Sequence, residues 1–114
     1  MNLDCLRIDL KYRTVYITAG DGDEARRIGL ALVKEKLAAC VNYFPIQSIY
    51  RWQGAIEENT EVALMVKTRQ SLVNKLIERT RALHSYQVPC IESWQIENGD
   101  PLYLKWIKDS TQQE

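Results

Sequence analysis

A single histidine, His84, is followed within a few residues by Tyr86, Cys90 and Glu92, so an imidazole, a phenol, a thiol and a carboxylate share one short stretch. Imidazole and thiolate are ligands for borderline and soft cations, and the usual divalent affinity order favours copper, with zinc the other candidate. The interval from His84 to Cys90 is not a recurrent metal spacing, so a site here needs further ligands from another chain or from solvent. The competing reading is structural. A histidine near a helix C-terminus is stabilised in its protonated form by the exposed carbonyls, which opposes metal binding and makes it a cap.

A second group of titratable residues is Glu57, Glu58 and Glu61, set against Arg51 and Lys67. These could line a polar pocket or act as an acid and base pair; cross-strand charge pairing on a wet sheet face accounts for them equally well. Cys40 has no histidine near it in sequence to act as its base, and reads as a small buried apolar residue. Gly20-Asp21-Gly22 before a helix resembles an anion cradle, but Asp21 and Asp23 put negative charge where a phosphate would sit. Tyr50, Trp52, Trp94 and Trp106 raise the possibility of a stacking platform for single-stranded RNA. The aromatic, glycine-rich strand motif of such platforms is missing, and interface packing is the default for these rings.

The elements that must position these groups follow from hydrophobic periodicity. Leu6, Ile8, Leu10 and Tyr12 alternate with charged residues and lead into the buried run Val15 to Thr18, which predicts one long strand or a tail entering one. Asp21 and Glu24 have the spacing of a capping box, opening a helix whose apolar side is Ala25, Ile28, Leu32 and Ala39, widened by Val33 and Leu37. Ile46 to Trp52 and Glu61 to Thr68 read as the strands of a hairpin turning near Gly54. Ser71 is the expected N-cap of a second helix with Leu72, Val73, Leu76, Ile77, Thr80, Leu83 and His84 inward. Ile91 to Glu97 is a fourth strand. Asp100-Pro101 starts a last short helix presenting Leu102, Tyr103, Trp106 and Ile107 on one face.

The order β-α-β-β-α-β plus a terminal helix is the ferredoxin-like arrangement, an α+β fold with both long helices on one side of an antiparallel sheet. Tyr50, Trp52, Met65 and Trp94 are too large a set for one short helix to cover on the other side, so self-association is expected. The chain has 114 residues with 15 basic and 15 acidic side chains, for a formal net charge of zero. That disfavours nucleic acid as the main ligand. One domain over residues 1–114 is expected, with residues 1–12 an extension or the start of the first strand. Cys5, Cys40 and Cys90 are odd in number and widely spaced, which points to a reducing compartment. No window reaches the ~18 apolar residues of a membrane helix, and the charged N-terminal stretch lacks a secretory core, so a cytoplasmic location is expected.

Several separate motifs, in order, resemble one family. They are Thr18-Ala19 before the acidic helix start, Glu35-Lys36-Leu37-Ala38-Ala39-Cys40-Val41-Asn42, Tyr50-Arg51-Trp52-Gln53-Gly54, Glu57 to Thr68, His84-Ser85-Tyr86-Gln87-Val88-Pro89 and Tyr103-Leu104-Lys105-Trp106-Ile107. Together, from about Val15 to Ser110, they are similar to the CutA family of divalent-ion tolerance proteins. The resemblance implies a non-enzymatic homotrimer with no organic cofactor, linked to tolerance of copper and other divalent ions. It further implies a cleft between subunits near the histidine motif, here Trp52, Glu61, Lys67, His84 and Tyr86.

Two departures bear on the site. Ser85 replaces the family's usual proline, and Cys90 stands where glutamate is common, a change from hard to soft donor that turns any metal preference toward copper(I) or zinc. With Ile17 in place of a cysteine some members carry, the expected metal ligands are His84 and Cys90. The competing class is a PII-like module binding a small ligand in the same cleft. An acylphosphatase-like hydrolase ranks last, since its phosphate-cradling arginine loop has no counterpart here.

Overall fold

The computed structural model describes residues 11–113. Leu6, Ile8 and Leu10 of the expected alternating strand lie outside the described residues. Within them the order is β1 (Tyr12–Ala19), α1 (Gly22–Lys34), β2 (Cys40–Trp52), β3 (Ala55–Arg69), α2 (Val73–Leu83), β4 (Ile91–Ile96) and α3 (Pro101–Asp109). The four strands form one antiparallel sheet in the order β2-β3-β1-β4. This is the expected ferredoxin-like α+β topology with an added C-terminal helix.

Period-two alternation decides which side chains meet the helices. Val15, Ile17 and Ala19 of β1 lie opposite Val66, Leu64 and Val62 of β3, and pack with Ala25, Ile28 and Leu32 of α1 and Leu76 of α2. Gly29 lets α1 approach β2, since a Cβ there would sit 3.2 Å from Val41 Cγ1.

Several local expectations are corrected. α1 ends at Lys34, not at Ala39. Lys36 adopts φ 58°, Lys36 N–H donates to Val33 O and Leu37 N–H to Leu32 O, which is the Schellman pattern with lysine in the position glycine usually fills. That turn drops Leu37 and Ala38 into the core, while Val33 stays largely outside. β2 begins at Cys40, six residues before the expected Ile46; it is an edge strand, where Pro45 removes no ladder bond from an inner neighbour. Ser71 does not cap α2: Gln70–Leu72 form a 3-10 turn that buries Leu72, and α2 follows without a side-chain cap. In α3 the packed residues are Leu104 and Ile107, against Tyr12, Ala39 and Ile96, whereas Leu102, Tyr103 and Trp106 face outward. Asp100 caps α3 by accepting from Tyr103 N–H, as its Asp-Pro start predicts.

α3 covers one end of the second sheet face. Arg69 holds the following segment there, donating to Thr111 Oγ1 at 3.0 Å and to the Gln112 carbonyl. The rest of that face is open, with Tyr16 stacked on a Trp94 that remains 43% exposed.

The hairpin outruns the sheet. Pairing of β1 with β3 ends at Ala19 and Val62, while β2 and β3 stay paired from Ile46 and Glu61 out to Trp52 and Ala55. Gln53 and Gly54 close the tip with positive φ at both positions, as a type I′ turn requires. The result is a two-stranded ribbon that exposes 73% of Ile49, midway along it, and 67% of Ile56 near its tip. The described chain is correspondingly elongated, 55 × 26 × 23 Å.

Candidate functional site

Where the ribbon leaves the sheet, it and the segment after α2 form the walls of an open groove of about 950 Å³. Tyr50 and Trp52 stand on the β2 wall, Tyr86 and Cys90 on the other, and Tyr16 and Glu61 line it from the central strands. The register explains the convergence. Glu61 on β3, Ile46 and Tyr50 on β2, and Tyr16 and Thr18 on β1 all point to the second sheet face.

Glu61 is 5% exposed, and its Oε2 accepts from Tyr86 Oη at 2.7 Å. Burial, that hydrogen bond and the Glu61 charge all push the Tyr86 phenol well above its ordinary pKa. The thiol of Cys90, an exposed residue, is raised too, first by partial desolvation and then by the Glu92 charge, with Glu61 adding and the hydrogen bond to Thr18 opposing. Tyr16 shifts upward for the same reasons, burial first and then the charges of Cys90, Glu61 and Glu92. Each of these groups therefore stays protonated at neutral pH.

His84 lies behind the groove and does not line it. Its side chain is fully buried. Nδ1 accepts from Tyr86 N–H at 3.0 Å, and because a backbone amide can only donate, Nε2 carries the hydrogen and donates to Thr18 O at 2.7 Å. Both ring nitrogens are engaged, so the expected pairing of His84 with Cys90 as two metal ligands is not the arrangement found. Nor does His84 cap the helix with its ring; only its backbone N–H returns to Arg81 O. Lys67 lies six residues beyond Glu61 along β3, roughly 20 Å away, opposite Thr14 and Cys40 and outside the groove. Of the expected cleft residues, Trp52, Glu61 and Tyr86 come together with Cys90.

Glu24 does more than complete a capping box. Asp21 Oδ1 accepts from Glu24 N–H at 2.8 Å, as expected. The Glu24 carboxylate, however, reaches past the cap residue: Oε1 accepts from Gly20 N–H at 2.9 Å and Oε2 from Ser85 N–H at 2.8 Å. Burial would raise its pKa, but the hydrogen bonds from Ser85 and Gly20 outweigh that and hold it below the ordinary carboxylate value. The consecutive amides of Ser85 and Tyr86 are thus pinned, the first by Glu24 and the second by the His84 ring, which is itself held at Thr18 O.

The donors of this chain fall short of a shell for a metal ion. Among the described residues no three His, Cys, Asp or Glu side chains converge closely enough to hold one. The single chain offers the groove one thiol with a raised pKa and one carboxylate already half engaged, which does not make a complete coordination shell.

The topology and groove define a ferredoxin-like α+β protein with an open groove at the root of a projecting hairpin. The family model of the CutA1 divalent ion tolerance protein matches residues 13–110, and the chain belongs to that family. It is 50% identical over 95 residues to the protein CutA homolog of Xenopus laevis, a match covering 82% of this chain and 63% of that relative. It is 45% identical over 98 residues to the divalent-cation tolerance protein CutA of Archaeoglobus fulgidus, covering 86% and 96%. Among solved structures, CutA1 from Oryza sativa superposes with a TM-score of 0.88 at 38% identity, covering 91% of this chain and 96% of that one. The periplasmic divalent cation tolerance protein CutA from Archaeoglobus fulgidus gives 0.86 at 44%, covering 87% and 97%.

Proposed function

We propose that this chain acts without catalysis, as a cytoplasmic homotrimer in the response to divalent metal ions, and that neighbouring copies complete the groove. The observation that carries the reading is the ribbon. A two-stranded ribbon alone is marginal in water, and this one holds Ile49 of β2 and Ile56 of β3 in solvent, beyond the point where β3 loses β1 as a neighbour. Copies related by a closed symmetry axis satisfy the edge and the apolar tip together.

In this reading copper or zinc enters the groove at Cys90, the soft donor that faces it, and donors from the adjoining copy supply the remaining ligands. His84 shapes the site by holding the Tyr86 segment. Titration with copper and with zinc tests this. Cys90→Ala weakens binding at least about tenfold while leaving the particle mass unchanged; isotherms identical to wild type remove the metal assignment. No helix among the described residues is long and apolar enough to cross a membrane.

A second reading, a PII-like module for a small ligand, is favoured by the groove itself. Its volume of about 950 Å³ lies in the range of small-molecule pockets and greatly exceeds a bare ion.

A further inference from the structure

We propose that His84 is a proton-operated latch on the groove wall: as pH falls, its Nδ1 takes a proton from solvent, gives up the Tyr86 amide and turns to Glu24, freeing residues 86–89. The inference rests on reading the groove as the binding site and names how that site is controlled.

The starting point is a ring whose two nitrogens are both committed within one chain. Nε2–H donates to Thr18 O, so Nδ1 holds the remaining lone pair, and that lone pair accepts Tyr86 N–H at 3.0 Å. A protonated imidazole has two N–H donors and no acceptor. Once Nδ1 carries a hydrogen it meets the Tyr86 amide donor to donor, and their bond breaks. Glu24 Oε2 stands 3.9 Å from Nδ1 and is the acceptor within reach. The His84 side chain is fully buried by this chain alone, so an adjoining copy does not touch the ring.

The charges around the ring decide whether the proton comes. Burial penalises a cation, and a neighbouring carboxylate offsets that penalty. α1 supplies Glu24, held ionised by the Ser85 and Gly20 amides. It also supplies Arg27, whose Nη2 is 3.6 Å from the same Glu24 oxygen but whose side chain is 52% exposed and screened by water. α2 contributes Arg81, an exposed residue bonded to His84 through its carbonyl, and β1 contributes the Thr18 carbonyl. β3 contributes Glu61, on the far side of Tyr86. The approach to β4 contributes Cys90, whose thiol stays neutral, with Glu92 beyond it. Glu24 is the carboxylate next to the ring.

The freed stretch has few other holds. Between α2 and β4 it makes no helix or ladder bonds; Ser85 N–H goes to Glu24, Tyr86 Oη to Glu61, and Cys90 O accepts from Thr18 N–H at 3.3 Å. Gln87, Val88 and Pro89 line the groove between those anchors. Losing the Tyr86 amide bond therefore loosens the groove wall and leaves the core intact.

His84 is the sole histidine, so its ring gives one unambiguous pair of nitrogen signals. Nitrogen NMR on the labelled wild-type protein, in its native assembly, follows them from about pH 8 to about pH 5 while hydrogen exchange follows the Tyr86 amide. The Nε2–H tautomer is expected at the upper end. On acidification Nδ1 gains a proton, and protection of the Tyr86 amide, corrected for the intrinsic pH dependence of exchange, falls at least about tenfold with the same midpoint. His84→Gln, whose side-chain amide keeps a donor for Thr18 O and does not titrate, should show no such fall. If that variant does not fold, the wild-type comparison still decides. A ring that stays neutral throughout, a hydrogen on Nδ1 at the upper end, or Tyr86 protection that ignores protonation of the ring overturns the proposal. Zinc titration at neutral pH separates this from failure of the groove reading: no binding alongside a working latch sinks the metal site alone, and binding alongside an indifferent Tyr86 amide sinks the latch alone.

Discussion

Tyr86 Oη donates to Glu61 Oε2 at 2.7 Å, joining residues 25 apart in sequence across the root of the hairpin. The bond ties the segment after α2 to the central strand β3 and places the one buried carboxylate of the groove. Tyr86→Phe removes the only protein donor Glu61 has among the described residues. Loss of about 1–3 kcal/mol is expected, because a buried charged acceptor is left unmet. Urea unfolding measures it, and a variant as stable as wild type would mean that water replaces the hydroxyl at no cost.

Glu24 predicts an acid dependence with a definite sign. Its folded-state pKa lies below the ordinary value of 4.5, so its contribution is fully present above that value and is lost as pH falls through the folded-state pKa. Glu24→Gln should lower stability at pH 7 by about 1–3 kcal/mol and flatten the fall in stability on acidification. Denaturant midpoints followed from pH 7 downward test both parts. An unaltered pH profile in the variant would place the acid sensitivity elsewhere.

Lys36 holds φ 58° at the position after the α1 cap, where a β-carbon is unfavourable. Lys36→Gly should stabilise the fold by roughly 0.5–1 kcal/mol, the relief of backbone strain exceeding glycine's extra chain entropy. Thermal unfolding reads the shift as a rise in midpoint; a fall would show that the lysine stem contributes packing that outweighs the strain.

Legibility in the sequence followed the range of the interactions. Asp21 and Asp100 announce their helices because a cap is settled within three residues, and both accept the amides expected of them. Val15, Ile17, Leu64 and Val66 announce the core because alternation is local. The start of β2 was hidden, since Asn42 and Pro45 are poor strand formers and only an edge position excuses them. Ser71 misled because burial of Leu72 in a 3-10 turn overrides a good cap residue. At the site, Trp52, Glu61, Tyr86 and Cys90 were recognisable through the family motifs. The role of His84 was not, because it depends on the Thr18 carbonyl, 66 residues away. The bonds from Glu24 to Gly20 and Ser85 were hidden for the same reason, although an acid three residues into a helix was a visible signal.

The open ribbon and the uncovered Tyr16–Trp94 face carry the functional reading, so the number of chains in the particle is decisive. Light scattering coupled to size exclusion, run across a hundredfold range of concentration, measures it directly. A constant three-chain mass is the predicted result, and a monodisperse single-chain mass at the highest concentration would contradict it.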